Sequence, residues 1–124
     1  MPPKPQKEIV YPITSEEHFN QLVNPENKKL LVIDIHLNWC GPCSVMNTNY
    51  RTLFFGFEEA EKRIEFWTCE VQNLPAEIVT QVQPVTCKPK FIIVLEGEIK
   101  GIIEGADFTK IETLVNTNIP GLDE

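Results

Sequence analysis

Residues 30–43 read Leu-Leu-Val-Ile-Asp-Ile-His-Leu-Asn-Trp-Cys-Gly-Pro-Cys. The first eight are apolar on both alternating faces, interrupted at Asp34, as expected of a central parallel strand covered by helices on either side. Two cysteines follow, three positions apart. Beyond them Val45, Met46, Asn49, Tyr50, Leu53, Phe54 and Phe57 recur at helical spacing, which predicts one long amphipathic helix over residues 42–62 with Gly56 as a blemish. Cys40 and Cys43 therefore bracket a strand-to-helix transition. Unpaired backbone N–H groups and the helix dipole at such a place favour a negative charge, and they lower a cysteine pKa from ~8.5 to roughly 3.5–7.5 in Cys-X-X-Cys motifs. Cys40 is the expected nucleophile. Cys43, one turn into the helix, stays a thiol until it displaces whatever Cys40 has captured. Gly41 permits the tight loop, and Pro42 suits a first helical turn that needs no N–H.

Working outward, the alternation of residues 8–13 fits an edge strand. Thr14 and Glu17 have capping-box spacing before a short helix over residues 15–24. Residues 64–71 return to a strand and residues 74–83 to a short helix. Residues 91–95 and 98–104 form a hairpin turning at Glu96-Gly97, and a last helix covers residues 108–117. The order β-α-β-α-β-α-β-β-α calls for an α/β fold, a central mixed sheet sandwiched by helices. Residues 1–7, with three prolines and two lysines, read as an extended leader, residues 8–118 as one domain and residues 119–124 as a tail.

The 124 residues suit a single core. A net charge of -7 disfavours nucleic acid and anionic lipid as partners, and no apolar stretch approaches the roughly 20 residues of a membrane span. The leader lacks the apolar segment of a secretory signal, so a reducing, cytoplasmic setting and free thiols are expected. Cys69 and Cys87 lie apart without a nearby histidine or a second CxxC, so a zinc site would need scattered ligands; no metal or cofactor is expected. Cys69 reads as a small core residue.

Asp34 stands among Val32, Ile33 and Ile35, where burying it ionised is costly, so a raised pKa is expected. Placed before the cysteines, it is a candidate base for the Cys43 proton. The competing reading is an edge aspartate facing solvent. His36 divides between a proton shuttle and a hydrogen-bonded core histidine, and the buried strand position favours the latter.

With these residues in view, the chain resembles the thioredoxins. Trp39-Cys40-Gly41-Pro42-Cys43 matches that family's active-site signature. Asp34 falls where its buried acid lies, and Pro89, after Cys87-Lys88, takes the place of the cis-proline loop facing the cysteines. Gly97 matches the hairpin-turn glycine and Gly105 the glycine bordering the substrate groove. The resemblance spans residues 8–117 and implies a thioredoxin fold in which Trp39, Gly41, Pro42, Lys88, Pro89 and Gly105 line a groove for an extended substrate segment. It further implies a protein-disulfide oxidoreductase that acts on protein disulfides, needs no cofactor and is recycled by a reductase.

Four positions depart from that pattern. His36 stands where an aromatic is usual, Ser44 replaces a basic residue, Thr48 replaces a helix-kinking proline, and Thr68 stands where many members have a lysine near the acid. Cys87 matches an extra cysteine of some animal thioredoxins and is a candidate for redox regulation. Cys87-Lys88-Pro89-Lys90-Phe91, the aromatic-rich helix and the Pro/Lys leader are similar to the thioredoxin-like light chains of ciliary outer-arm dynein. That similarity implies dynein heavy or intermediate chains as partners and a place in the axoneme. The alternative to catalysis is a structural or redox-sensing binding module within a large assembly.

Overall fold

In the computed structural model, which describes residues 9–37, 47–83, 85, 86, 88 and 90–121, the apolar run at residues 30–36 becomes the middle strand of a mixed sheet. The strands are β1 (Val10–Ile13), β2 (Leu30–His36), β3 (Ile64–Glu70), β4 (Lys90–Leu95) and β5 (Glu98–Glu104), in the spatial order β1-β3-β2-β4-β5. β1 and β2 run parallel to β3, whereas β4 is antiparallel to both β2 and β5. Every β2 residue is buried, because helices cover both faces.

The helices are α1 (Glu16–Leu22), α2 (Asn47–Gly56), α3 (Ala76–Val82) and α4 (Phe108–Asn118). On one face Leu30 and Val32 pack with Phe66, with Tyr50 and Leu53 of α2, and with Ile111 and Val115 of α4. On the other, Leu31, Ile33 and Ile35 pack with Phe19 of α1 and Val82 of α3. Each such side chain contributes on the order of 1.5–3 kcal/mol by leaving water. A one-residue slip of β2 would exchange its two faces, so this double packing fixes the register and with it the placement of Asp34.

The hairpin expectation holds in detail: Glu96 and Gly97 both have positive φ, 52° and 82°, as a two-residue primed turn requires. Three helix boundaries differ from the sequence reading. Ser15, not Thr14, caps α1, its Oγ accepting the His18 N–H at 3.0 Å, while the Thr14 N–H donates to His18 Nδ1 at 3.1 Å. The helix expected over 42–62 ends, in its described part, at Gly56. Glu59 then turns left-handed (φ 50°) into a 3-10 turn, Ala60–Lys62. Arg63 explains that break: its Nε donates to the Pro120 carbonyl at 2.9 Å and its Nη1 to the Glu58 carbonyl at 3.0 Å, a clamp unavailable to a continuous helix. Likewise the helix expected from Leu74 begins only after Pro75, because a residue before proline avoids helical geometry, and Leu74 is extended at φ -91°, ψ 143°.

Candidate functional site

The α2-facing side of β2 changes character along its length. Its first half, Leu30 and Val32, abuts Phe66, on which Tyr50 stacks with centroids 4.7 Å apart. Its second half carries Asp34 and then His36, side by side in the parallel ladder with Thr68 and Glu70 of β3. The apolar core therefore gives way to a polar column at the carboxyl ends of the parallel strands, the end of an open α/β sheet where sites are built.

Asp34 is 1% exposed and lies between Thr68 on β3 and Phe91 on β4. It is a core residue of the middle strand, which removes the solvent-facing alternative. The ladder also sets Thr68 beside it, at the position expected to lack a lysine. His36 is 6% exposed, but its Nδ1 has no hydrogen-bond partner among the described residues. The expectation of a core histidine satisfied by hydrogen bonds is not met at that atom among the described residues. A cleft of about 350 Å³ opens there, walled by His36, Thr68, Glu70, Asn73 and Thr14, with Pro12 on the β1 side. Glu70 accepts from Gln72 Nε2 at 2.9 Å, and Asn73 Nδ2 donates to the Ile13 carbonyl at 3.3 Å, which holds the mouth of the cleft in place.

Lys88 and Gly105 come together. Gly105 has φ +81°, and a Cβ added to it would lie 2.7 Å from Lys88 Cε. Glu104, next in the chain, is shared by two cations, 3.7 Å from Lys88 Nζ and 3.9 Å from the largely buried Lys90 Nζ. Trp39, Cys40, Gly41, Pro42, Cys43, Cys87 and Pro89 lie outside the described residues. Leu37, the last described residue before the cysteines, lines an open apolar depression with Val71, Val79 and Val85.

Cys69 is buried, and burial, with the Glu70 carboxylate adding to it, pushes its thiol up to about 12. Such a thiol is a poor nucleophile at neutral pH. Among the described residues no three His, Cys, Asp or Glu side chains are grouped to hold a metal ion, and no helix is long and apolar enough to cross a membrane. Sequence reading singled out Asp34, His36 and Thr68 but missed Glu70 and Asn73. Glu70 was within reach, being in phase with Thr68 along a strand whose apolar positions are Ile64 and Phe66.

Comparison with known proteins places the chain in a family. The thioredoxin family model matches residues 10–117. Mitochondrial thioredoxin-3 of Saccharomyces cerevisiae is 31% identical over 100 residues, 81% of this chain and 72% of that protein. Thioredoxin of Sus scrofa is 28% identical over 108 residues, 87% of this chain and 97% of that protein. The crystal structure of the reduced thioredoxin pre-protein of Schistosoma mansoni superposes with a TM-score of 0.66 at 23% identity, covering 90% of this chain and all of that one, a likeness of fold.

Proposed function

This chain belongs to the thioredoxin family of thiol–disulfide oxidoreductases, and from that premise we propose that it reduces or exchanges disulfides in proteins through Cys40 and Cys43. The observation that carries this reading is the sequence Trp39-Cys40-Gly41-Pro42-Cys43, placed directly after a strand whose acid, Asp34, is sealed in the core. Cys40, as thiolate, attacks one sulfur of a substrate disulfide; the other sulfur leaves as a thiolate and a mixed disulfide forms. Asp34, ionised at this point, takes the Cys43 proton, directly or through water. The Cys43 sulfur then attacks Cys40, the Cys40–Cys43 bond forms, and the substrate departs as the second thiolate with the electron pair. The substrate is reduced by two electrons and the protein oxidised by two. A reductase of the kind that recycles thioredoxins resets the dithiol.

Burial of a carboxyl disfavours its charged form in general, which suits a group that must accept a proton readily and surrender it each cycle. We assign Trp39, Gly41, Pro42, Lys88, Pro89 and Gly105 to a groove for the substrate backbone, a role supported by the contact between Lys88 and Gly105. The test is reduction of insulin disulfides by the purified chain. Activity lost in Cys40→Ser, with stable mixed disulfides accumulating in Cys43→Ser, supports the reading; a wild-type chain that reduces no disulfide contradicts it.

The finer reading places the chain as a light-chain subunit of an axonemal dynein, with Cys87 as a regulatory thiol. It is favoured by Cys87-Lys88-Pro89-Lys90-Phe91 and the Pro/Lys leader. A Cys40→Ser, Cys43→Ser variant that still joins heavy or intermediate chains would make docking independent of chemistry, the structural or redox-sensing alternative. Extraction from cilia solely as a free monomer would contradict the light-chain role.

A further inference from the structure

The polar column on β2 and β3 ends at a cleft, and between the two lies a buried imidazole whose Nδ1 has no hydrogen-bond partner among the described residues. His36 is two residues beyond Asp34 on the same strand face, about 7 Å along the strand. Thr68 stands beside Asp34 in the ladder and also lines the cleft, and it carries a hydroxyl able both to donate and to accept. Glu70, opposite His36, is the charged group among the described residues lining the cleft; Thr14 and Asn73 are neutral, as are the residues supplied from the β1 side. The buried groups facing His36 from its own strand reduce to Asp34. A cleft of about 350 Å³ has room for several waters at roughly 30 Å³ each.

A buried polar nitrogen without a partner among the described residues is costly to keep, so its place beside a polar cleft calls for a reason. We propose that His36 is a proton relay between Asp34 and the cleft, through which the acid is returned to its ionised state after each turnover. This rests on the dithiol reading above and on Asp34 as its base. The proton that leaves the Cys43 thiol rests on the Asp34 carboxyl. His36 accepts it at a ring nitrogen, through the Thr68 hydroxyl or a water, and the imidazolium gives a proton from its other nitrogen to water in the cleft. Glu70 stands at the rim of that cleft. No electrons move in this step, and the neutral imidazole is restored when the ring tautomer resets. An imidazole suits the task because its ordinary pKa lies in the physiological range, so it both gains and loses a proton near neutrality. In this role His36 acts through Asp34, as a positioning residue for its proton rather than as a nucleophile's partner.

The experiment is steady-state disulfide reduction at saturating insulin and reductase, comparing wild type, Asp34→Asn, His36→Phe and His36→Ala. His36→Phe keeps the ring volume and removes both nitrogens, so it separates proton transfer from packing. The expected result is turnover about tenfold or more below wild type in both His36 variants. Turnover of His36→Ala should then climb with added imidazole but not with thiazole, a ring of the same size that is too weak a base to carry the proton. Alkylation of Cys40 should be unchanged in every His36 variant. Wild-type turnover in His36→Phe, or equal recovery with imidazole and thiazole, overturns the relay while leaving the dithiol reading intact. A wild-type chain inert toward insulin overturns the dithiol reading itself. If His36→Ala fails to fold, His36→Phe with and without added imidazole buffer decides alone: a buffer-insensitive, undiminished rate is fatal to the proposal.

Discussion

Asp34 and Cys69 are both sealed in the core. Burial keeps Cys69 a thiol. Its ordinary value of 9.0 is raised to about 12, first by desolvation and then by Glu70. It should escape iodoacetamide at pH 8 in the native chain and react on unfolding, as mass spectrometry of alkylated peptides would record. The sign of its effect on stability follows. Below pH 9 the thiol is neutral in both states; between 9 and 12 the unfolded chain releases the proton while the native chain keeps it, so stability falls as pH rises. Urea unfolding at pH 8 and pH 10 should show a steeper loss for wild type than for Cys69→Ala. Asp34→Asn, by contrast, leaves the packing but removes the proposed proton acceptor. Release of substrate from the mixed disulfide should slow by about tenfold or more, measured in single turnover. Gly105→Ala meets only the end of the Lys88 side chain, which can swing away. The cost, about 1–2 kcal/mol in urea unfolding, comes from forcing a side chain into a positive φ of 81°.

At the scale of elements, the cap of α1 offers a clean test. Ser15→Ala should lower stability by about 1 kcal/mol while Thr14→Ala leaves it nearly unchanged, read from urea midpoints at constant slope, because the His18 N–H is held by Ser15 Oγ. The strands were legible in the sequence because their signal is local. β2 is apolar on both faces, and the Glu96-Gly97 turn needs residues that tolerate positive φ, a requirement visible in the residue types themselves. What escaped was decided at a distance or by one neighbouring residue. α2 ends at Gly56 because Arg63 reaches Glu58 and Pro120, 57 positions away in the latter case. α3 waits for Pro75. In the candidate site, Asp34 announced itself as a charge within an apolar strand, while the orphaned Nδ1 of His36 and the wall made by Glu70 and Asn73 depend on which residues the parallel register sets side by side. A sequence states that a histidine is buried; only the ladder states what faces it.

The whole molecule joins these scales through β2, which carries the packing of both cores at one end and the polar column at the other. Its outer strands are protected differently: β1 carries Pro12 at its centre, and β5 carries Glu98, Lys100 and Glu104 along its free edge, features that discourage pairing with a second chain. With a net charge of -7, docking on a larger assembly would favour basic partner surfaces and weaken with salt. The central proposal remains chemical: Cys40 reacts as a ready thiolate. The most direct test is the rate of iodoacetamide alkylation of Cys40 from pH 4 to 10, in the native chain and in urea. The native midpoint is expected below roughly 7.5, moving to ~8.5 on unfolding. A native midpoint equal to the unfolded one would contradict it.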